Sequence, residues 1–234
     1  MSEDPFAPMR DAMMAEIAAE AAFVGDQTGR PVFSDKVMQA VAEVPRHDFV
    51  PVELRELAYL NTPLPIGFGK TISQPFIVAL MTDLLELEEE DAVLEIGTGL
   101  GYQAAILAKL CKRVYSLELL EELAAQARTR LARAGHRNIT LRRANGYHGW
   151  AAHAPYDKVI VTAAPDLIPP ALIHQLKAGG RMVIPAGMPD TQQLILVEKT
   201  PEGRVLTKEV LRVRFSLLEP DDPDEPTADR ERLA

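Results

Sequence analysis

The chain of 234 residues is 47% hydrophobic and 25% charged, with a formal net charge of −9. This length accommodates one large α/β domain rather than two full-sized ones, and the composition excludes a disordered chain. The acidic balance argues against nucleic acid as a partner, because binding phosphates needs a basic surface that releases counterions.

No apolar run reaches the roughly 18 to 20 residues of a membrane-spanning helix. The opening "MSEDPFAPMRD" lacks the basic start of a signal peptide. The sequence therefore predicts a cytoplasmic protein with no membrane partner, and a monomer is the default expectation. The single Cys111 has no second thiol for a disulfide or a metal knuckle and reads as a core or helix-end residue. No metal site is expected, since His148 and His153 lack the spacing of a helical metal pair.

In chain order, "MRDAMMAEIAAEAAF" puts Met9, Met13, Ile17 and Ala21 at four-residue steps, the pattern of an amphipathic helix. The segment "GDQTGRP" ends it, and Ser34 with Asp35 can cap a second helix through "KVMQAVAEV". "RHDFVPVELRELAYLNTPLPIGFG" then predicts irregular backbone, the kind of loop that carries binding residues on a rigid scaffold. Ser73 or Gln74 can cap a helix begun by Pro75, with Ile77, Leu80, Met81, Leu84 and Leu85 on its apolar positions.

From Ala92 the elements alternate. "AVLEIG", "RVYSLEL", "ITLRRA", "YDKVIVTAA" and "GRMVIPAG" read as strands, with helices over 101–110, 121–134 and near 170–176. The alternation implies right-handed crossovers and a doubly wound, mainly parallel sheet with helices on both faces. "QQLILVEKT" and "RVLTKEVLRVRFSLL", joined at "PEG", predict an antiparallel hairpin near the C-terminus. The basic "HRNITLRR" reads as the solvated rim of a strand, and "EPDDPDEPTADRERLA" as a loosely attached acidic tail.

The strongest motif is "VLEIGTGLGYQAAILAKL", in which Glu95, Gly97, Gly99 and Gly101 form E-x-G-x-G-x-G at a strand-to-helix junction. Glycines there let the loop approach a ligand and pack strand against helix; the alternative is a tight turn that binds nothing. A dinucleotide fingerprint requires a small residue where Tyr102 stands, and Glu95 would repel a pyrophosphate. A ligand with an ammonium and a sulfonium and no phosphate, S-adenosylmethionine, suits the carboxylate better. Glu118, at the tip of the next strand, can accept both hydroxyls of a ribose.

The segments "PRHDFVP" (45–51), "TPLPIGFGKTISQP" (62–75), "VLEIGTGLGY" (93–102), "NGYHGW" (145–150) and "YDKVIVTAAP" (156–165) together resemble the protein-L-isoaspartate O-methyltransferase family over roughly residues 35–218. The resemblance implies a class I methyltransferase fold and methyl transfer from S-adenosylmethionine to the free carboxylate of an isoaspartyl or D-aspartyl residue in a damaged protein. The ester then closes to a succinimide that hydrolyses partly to normal aspartate. By position, it makes Ser73 the active-site residue, with Thr71 and Ile72 beside it along the cofactor. It assigns Glu95, Gly97, Gly99 and Gly101 to the methionine part, Glu118 to the ribose, and Asn145 and Gly146 to the adenine side, with Leu119 also cofactor-binding. The expected organisation is one methyltransferase domain, 1–218, made of an N-terminal helical part (1–50), a substrate and active-site loop (51–75) and a cofactor-binding core (76–218), followed by a flexible tail over 219–234.

Two positions depart from the family pattern. Asn145 stands where Asp is common, and Glu219 where a threonine near the substrate is common; an acid there is expected to repel an anionic acceptor. These departures leave room for a relative that methylates a specific aspartate of a biosynthetic peptide. A non-catalytic adenosyl-ligand binding protein is the reading from outside the enzymes.

Overall fold

The structure is a computed structural model that describes residues 4–219. The predicted tail therefore lies outside the described residues, apart from Glu219. Helix α1 (Ala7–Phe23) buries Met13, Ile17 and Ala21, as its four-residue spacing predicts. The glycine-bearing segment after it forms a further turn, α2 (Gly25–Thr28), before Gly29 ends it in the left-handed conformation at φ 73°. Helix α3 (Asp35–Glu43) follows; the Ser34 side chain makes no cap, and its backbone N–H donates instead to Asp83 Oδ1 at 2.8 Å.

The stretch expected to be irregular contains two 3-10 turns, Arg46–Phe49 and Val52–Leu57, and then a small antiparallel hairpin of β1 (Leu64–Gly67) and β2 (Lys70–Ile72). Thr71 and Ile72 are thus strand residues. Only Ser73 and Gln74 separate the hairpin from α4 (Pro75–Leu84).

The core elements are β3 (Ala92–Ile96), α5 (Tyr102–Leu110), β4 (Arg113–Glu118), α6 (Glu121–Arg133), β5 (Ile139–Arg143), β6 (Tyr156–Val161), α7 (Pro170–Gln175), β7 (Leu176–Ala186), β8 (Gln193–Lys199) and β9 (Val205–Arg212). The seven core strands form one sheet in the order β5-β4-β3-β6-β7-β8-β9. The first five of these pair parallel, and β8 and β9 add the antiparallel hairpin read from the sequence. Strand order reverses between β3 and β6, and ligands of such sheets bind at the carboxyl ends of the strands at that reversal. The basic strip falls on β5 at the sheet border. Cys111, just past α5, is buried, and burial pushes its thiol pKa up to about 12, which keeps it protonated and inert.

Two polar anchors attach the N-terminal part to this core. Arg46 is fully buried; its Nε donates to Ala58 O at 2.8 Å and its guanidinium lies 5.0 Å from the centre of the Tyr102 ring. Desolvation pulls its pKa down to about 10, so it remains charged at neutral pH. The second anchor starts at Glu20 on α1. Its carboxylate accepts from Asn61 Nδ2 at 2.8 Å and from Gln74 Nε2 at 3.0 Å, while Asn61 Oδ1 accepts the Phe76 backbone N–H at 2.9 Å. The start of α4 is therefore capped from a distant loop, and neither Gln74 nor Ser73 supplies a side-chain cap.

Asn61→Ala leaves the Phe76 N–H without its acceptor and removes the link to Glu20. The expected loss is about 1–2 kcal/mol of stability, the usual cost of a lost helix cap. Urea denaturation measures it, and an unchanged midpoint would mean that the cap does not hold α4 in place.

Candidate active site

A cleft with about 930 Å³ of empty space, including its open mouth, lies at the carboxyl ends of the strands. Several parts of the chain wall it. The hairpin and its exit contribute Thr71, Ile72 and Ser73; the loop after β3 contributes Gly97, Thr98 and Gly99; the end of β4 contributes Glu118 and Leu119. Asn145 and Gly146 follow β5, and Ser216 to Glu219 form a strap across the mouth.

The glycine loop is shaped by its neighbours. Gly97 has φ 91°, and a Cβ there would stand 2.6 Å from Thr162 Oγ1, whose hydroxyl donates to Gly97 O at 2.7 Å. A Cβ on Gly146 would meet Ile96 Cγ2 at 2.1 Å, so β3 and the turn after β5 approach more closely than any side chain allows. Gly101 does not line the cleft. It starts α5 at φ 100°, where a Cβ would lie 3.0 Å from Leu131 Cγ, so its smallness serves packing against α6.

Glu118 is nearly buried and accepts the N–H groups of Gly99 at 2.7 Å and Leu120 at 3.1 Å. Burial raises its pKa, and these amide donors oppose the rise. A carboxylate can accept about four hydrogen bonds, so lone pairs remain for hydroxyls in the cleft. Asn145 Oδ1 accepts from Tyr147 N at 2.9 Å and caps the 3-10 turn Gly146–His148. The donors and acceptors here fit an adenosine with a free diol, and among the described residues Lys70 is the one cation in the cleft lining.

Glu95 requires a correction. The sequence reading put its carboxylate beside the cofactor's positive groups, whereas the side chain is wholly buried under the loop and does not line the cleft. The cause is register: Glu95 pairs with Ser116 across the parallel β3–β4 ladder, so both side chains leave the same face of the sheet. The Ser116 hydroxyl donates to Glu95 Oε2 and meets Thr98 Oγ1 at 2.5 Å. Glu95 thus supports the loop from below through Ser116, while its Oε1 has no hydrogen-bond partner among the described residues.

Ser73 lies at the mouth of the cleft, and among the described residues its hydroxyl makes no hydrogen bond to the protein. Of the two roles open from local sequence, the cap is taken by Asn61, which serves the helix start instead of Ser73. Trp150 packs edge-on to Tyr115 at 5.8 Å and donates its backbone N–H to Gln175, a packing role.

Sequence reasoning missed Thr162, the strap and the residue that holds it. Leu218 N donates to Ala164 O and Ala164 N to Ser216 O, both at 2.8 Å, and buried Gln192 takes both backbone polar groups of Phe215. Only a hydroxyl at a strand end hinted at Thr162. The sequence reading carried its last β-prone run through Leu218, whereas β9 ends at Arg212 and Ser216 to Leu218 leave the hairpin to form the strap.

Burial pushes the Glu95 pKa from 4.5 up to about 8, against the Ser116 hydroxyl, which lowers it; the charge of Glu118 adds to the rise. The folded state therefore holds this proton more tightly than the unfolded chain. The associated stability is complete below about pH 4.5 and is lost as pH rises through about 8. Glu95→Gln, which has no proton to lose, should show a flatter decline of melting temperature across that window. Parallel profiles for variant and parent would refute the assignment.

The model of the family described as Protein-L-isoaspartate(D-aspartate) O-methyltransferase matches residues 20–220. A Protein-L-isoaspartate O-methyltransferase 1 from Polaromonas sp. (strain JS666 / ATCC BAA-500) is 63% identical over 95% of this chain and 94% of its own length. A Protein-L-isoaspartate O-methyltransferase 2 from Syntrophobacter fumaroxidans (strain DSM 10017 / MPOB) is 52% identical over 92% of this chain and 87% of its own. Among solved structures, a protein-L-isoaspartate O-methyltransferase superposes with a TM-score of 0.73 at 27% identity, covering 87% of this chain and 66% of that one. A putative one from Plasmodium falciparum, in complex with S-adenosyl-L-homocysteine, superposes with a TM-score of 0.74 at 21% identity, covering 89% and 97%, a likeness of fold. The chain belongs to the protein-L-isoaspartate(D-aspartate) O-methyltransferase family.

Proposed function

We propose that the cleft holds S-adenosylmethionine along Gly97, Gly99, Glu118, Leu119, Asn145 and Gly146, with the acceptor carboxylate beside Ser73, Thr71 and Ile72. The chain is a carboxyl methyltransferase that starts repair of isoaspartyl residues in damaged proteins. The observation that carries the site reading is that one cleft gathers Ser73, the glycine loop, Glu118 and Asn145 from separate parts of the chain. Residues 1–218 act on this reading as one methyltransferase domain, with Gly101 and Glu95 supporting the loop rather than touching the ligand.

S-adenosylmethionine, when bound, supplies a methyl group on a positively charged sulfur. The acceptor carboxylate, with an ordinary pKa of roughly 3 to 4, is already ionised at neutral pH and needs no general base. What remains for the protein is alignment. Holding the reactants in a near-attack pose lowers such barriers by about 7 to 11 kcal/mol in favourable cases. The uncommitted Ser73 hydroxyl donates to one acceptor oxygen and orients the other. Glu118 accepts the ribose hydroxyls with its spare lone pairs. Asn145 meets the adenine with a neutral carbonyl that already serves Tyr147.

Labelled methyl transfer to an isoaspartyl peptide, compared with its aspartyl twin, tests the function; selective labelling is expected, and labelling of neither would count against it. Ser73→Ala should cut turnover by about 10- to 100-fold, the worth of one hydrogen bond to a charged group, while S-adenosylmethionine still binds. Undiminished turnover would remove Ser73 from the acceptor site. Asn145→Asp keeps an oxygen for Tyr147 and adds charge assistance toward the adenine amino group. Calorimetric titration should show S-adenosylmethionine binding about fivefold tighter, and equal or weaker binding would contradict the adenine placement.

A further inference from the structure

The acceptor is an anion, and the cleft that must admit it is lined by the carboxylates of Glu118 and Glu219. Lys70 is the sole cation in that lining among the described residues. It stands on β2, three positions before Ser73, and its Nζ is already paired with Glu219 Oε1 at 2.7 Å. The acid predicted to repel the substrate is thus neutralised by the one group able to attract it.

The pair is built to open. Glu219 is about half exposed and Lys70 about a quarter exposed, at 51% and 26% of their side chains, so solvent screens their attraction. The strap is anchored by the backbone of Ser216 and Leu218 on Ala164, and Glu219 lies just past the last anchor. Its side chain can leave Lys70 without unseating the strap. Glu118 feels the Lys70 charge, but the ammonium bonds Glu219 and not Glu118, whose spare lone pairs serve the ribose hydroxyls.

We propose that Lys70 docks the acceptor's free carboxylate and that Glu219 is a resident carboxylate which the acceptor displaces. The inference rests on the carboxyl methyltransferase reading and adds to it the specificity residue. One acceptor oxygen takes the ammonium and the other remains for the methyl group. A neutral amide in the same place gains nothing from Lys70 and leaves Glu219 paired.

The test is steady-state methylation of an isoaspartyl peptide by the full chain and its Glu219→Gln, Lys70→Met and Lys70→Arg variants, with a melting curve for each to establish folding. Glu219→Gln should lower KM about two- to fivefold, the range set by an exposed ion pair. Lys70→Met should raise KM about fivefold, and adding Glu219→Gln to it should bring no recovery. Lys70→Arg, which keeps the cation, should hold KM within about twofold of the parent and supports the proposal even if Lys70→Met does not fold. Methylation with KM unchanged or raised in Glu219→Gln, or unchanged in Lys70→Met, overturns this inference alone. No methylation by the parent overturns the functional reading, and this inference with it.

Discussion

Everything at the active end of this protein depends on how closely the chain can pass over the carboxyl end of β3. That strand runs between β4 and β6, and its exit must fit against Thr162 on one side and the turn at Gly146 on the other. Side chains at Gly97 or Gly146 would overlap their neighbours, so the absence of a Cβ at both is a condition of closing the sheet around the cleft. The backbone N–H groups of Gly97 and Thr98 fall within reach of Leu117 O, and that of Gly99 within reach of Glu118. Loop, strand end and carboxylate are one hydrogen-bonded unit, stiff before any ligand arrives.

The side of the cleft proposed for the acceptor is built differently. No sheet register fixes Ser73; it hangs between a two-stranded hairpin and the first turn of α4. Its position is set from the periphery, by Glu20 on α1 through Asn61 and Gln74. Buried Arg46 does the same for the preceding segment, tying the Ala58 carbonyl to the Tyr102 ring. The N-terminal helices are therefore part of the means by which a short polar run is aimed at the cleft. Borrowing the cap of α4 from Asn61 leaves the Ser73 hydroxyl unengaged among the described residues, as the orienting role proposed for it requires.

Much of this was legible in the sequence because it follows from local rules. Alternating apolar runs and helical stretches gave the parallel sheet, and the glycine spacing gave the loop. The acid at the end of β4 and the polar run at Thr71 to Ser73 line the same cleft. What was not legible depends on pairing between distant segments. Nothing near Glu95 reveals that Ser116 is its partner in register, so its burial beneath the loop was invisible and an attraction to ligand was read in its place. Nothing near Asn61 reveals that it caps α4, and nothing near Ser216 that it lies beside Ala164. The hairpin before Ser73 was read as irregular because prolines and glycines dominate it, although Pro65 can sit in a strand of so small a sheet.

The strap has a consequence for the order in which the molecule is made. The sheet's parallel strands are complete by Ala186, yet the wall over the cofactor cleft comes from Ser216 to Glu219, some thirty residues later along the chain. During synthesis the glycine loop and Glu118 emerge first and can fold against one another, but the cleft stays open on one side until the strap leaves the ribosome and meets Ala164. A product cut short in β9 would keep its sheet partners β7 and β8 and lose that wall. The chain's own translation thus sets a time before which it can fold without yet being able to enclose a ligand.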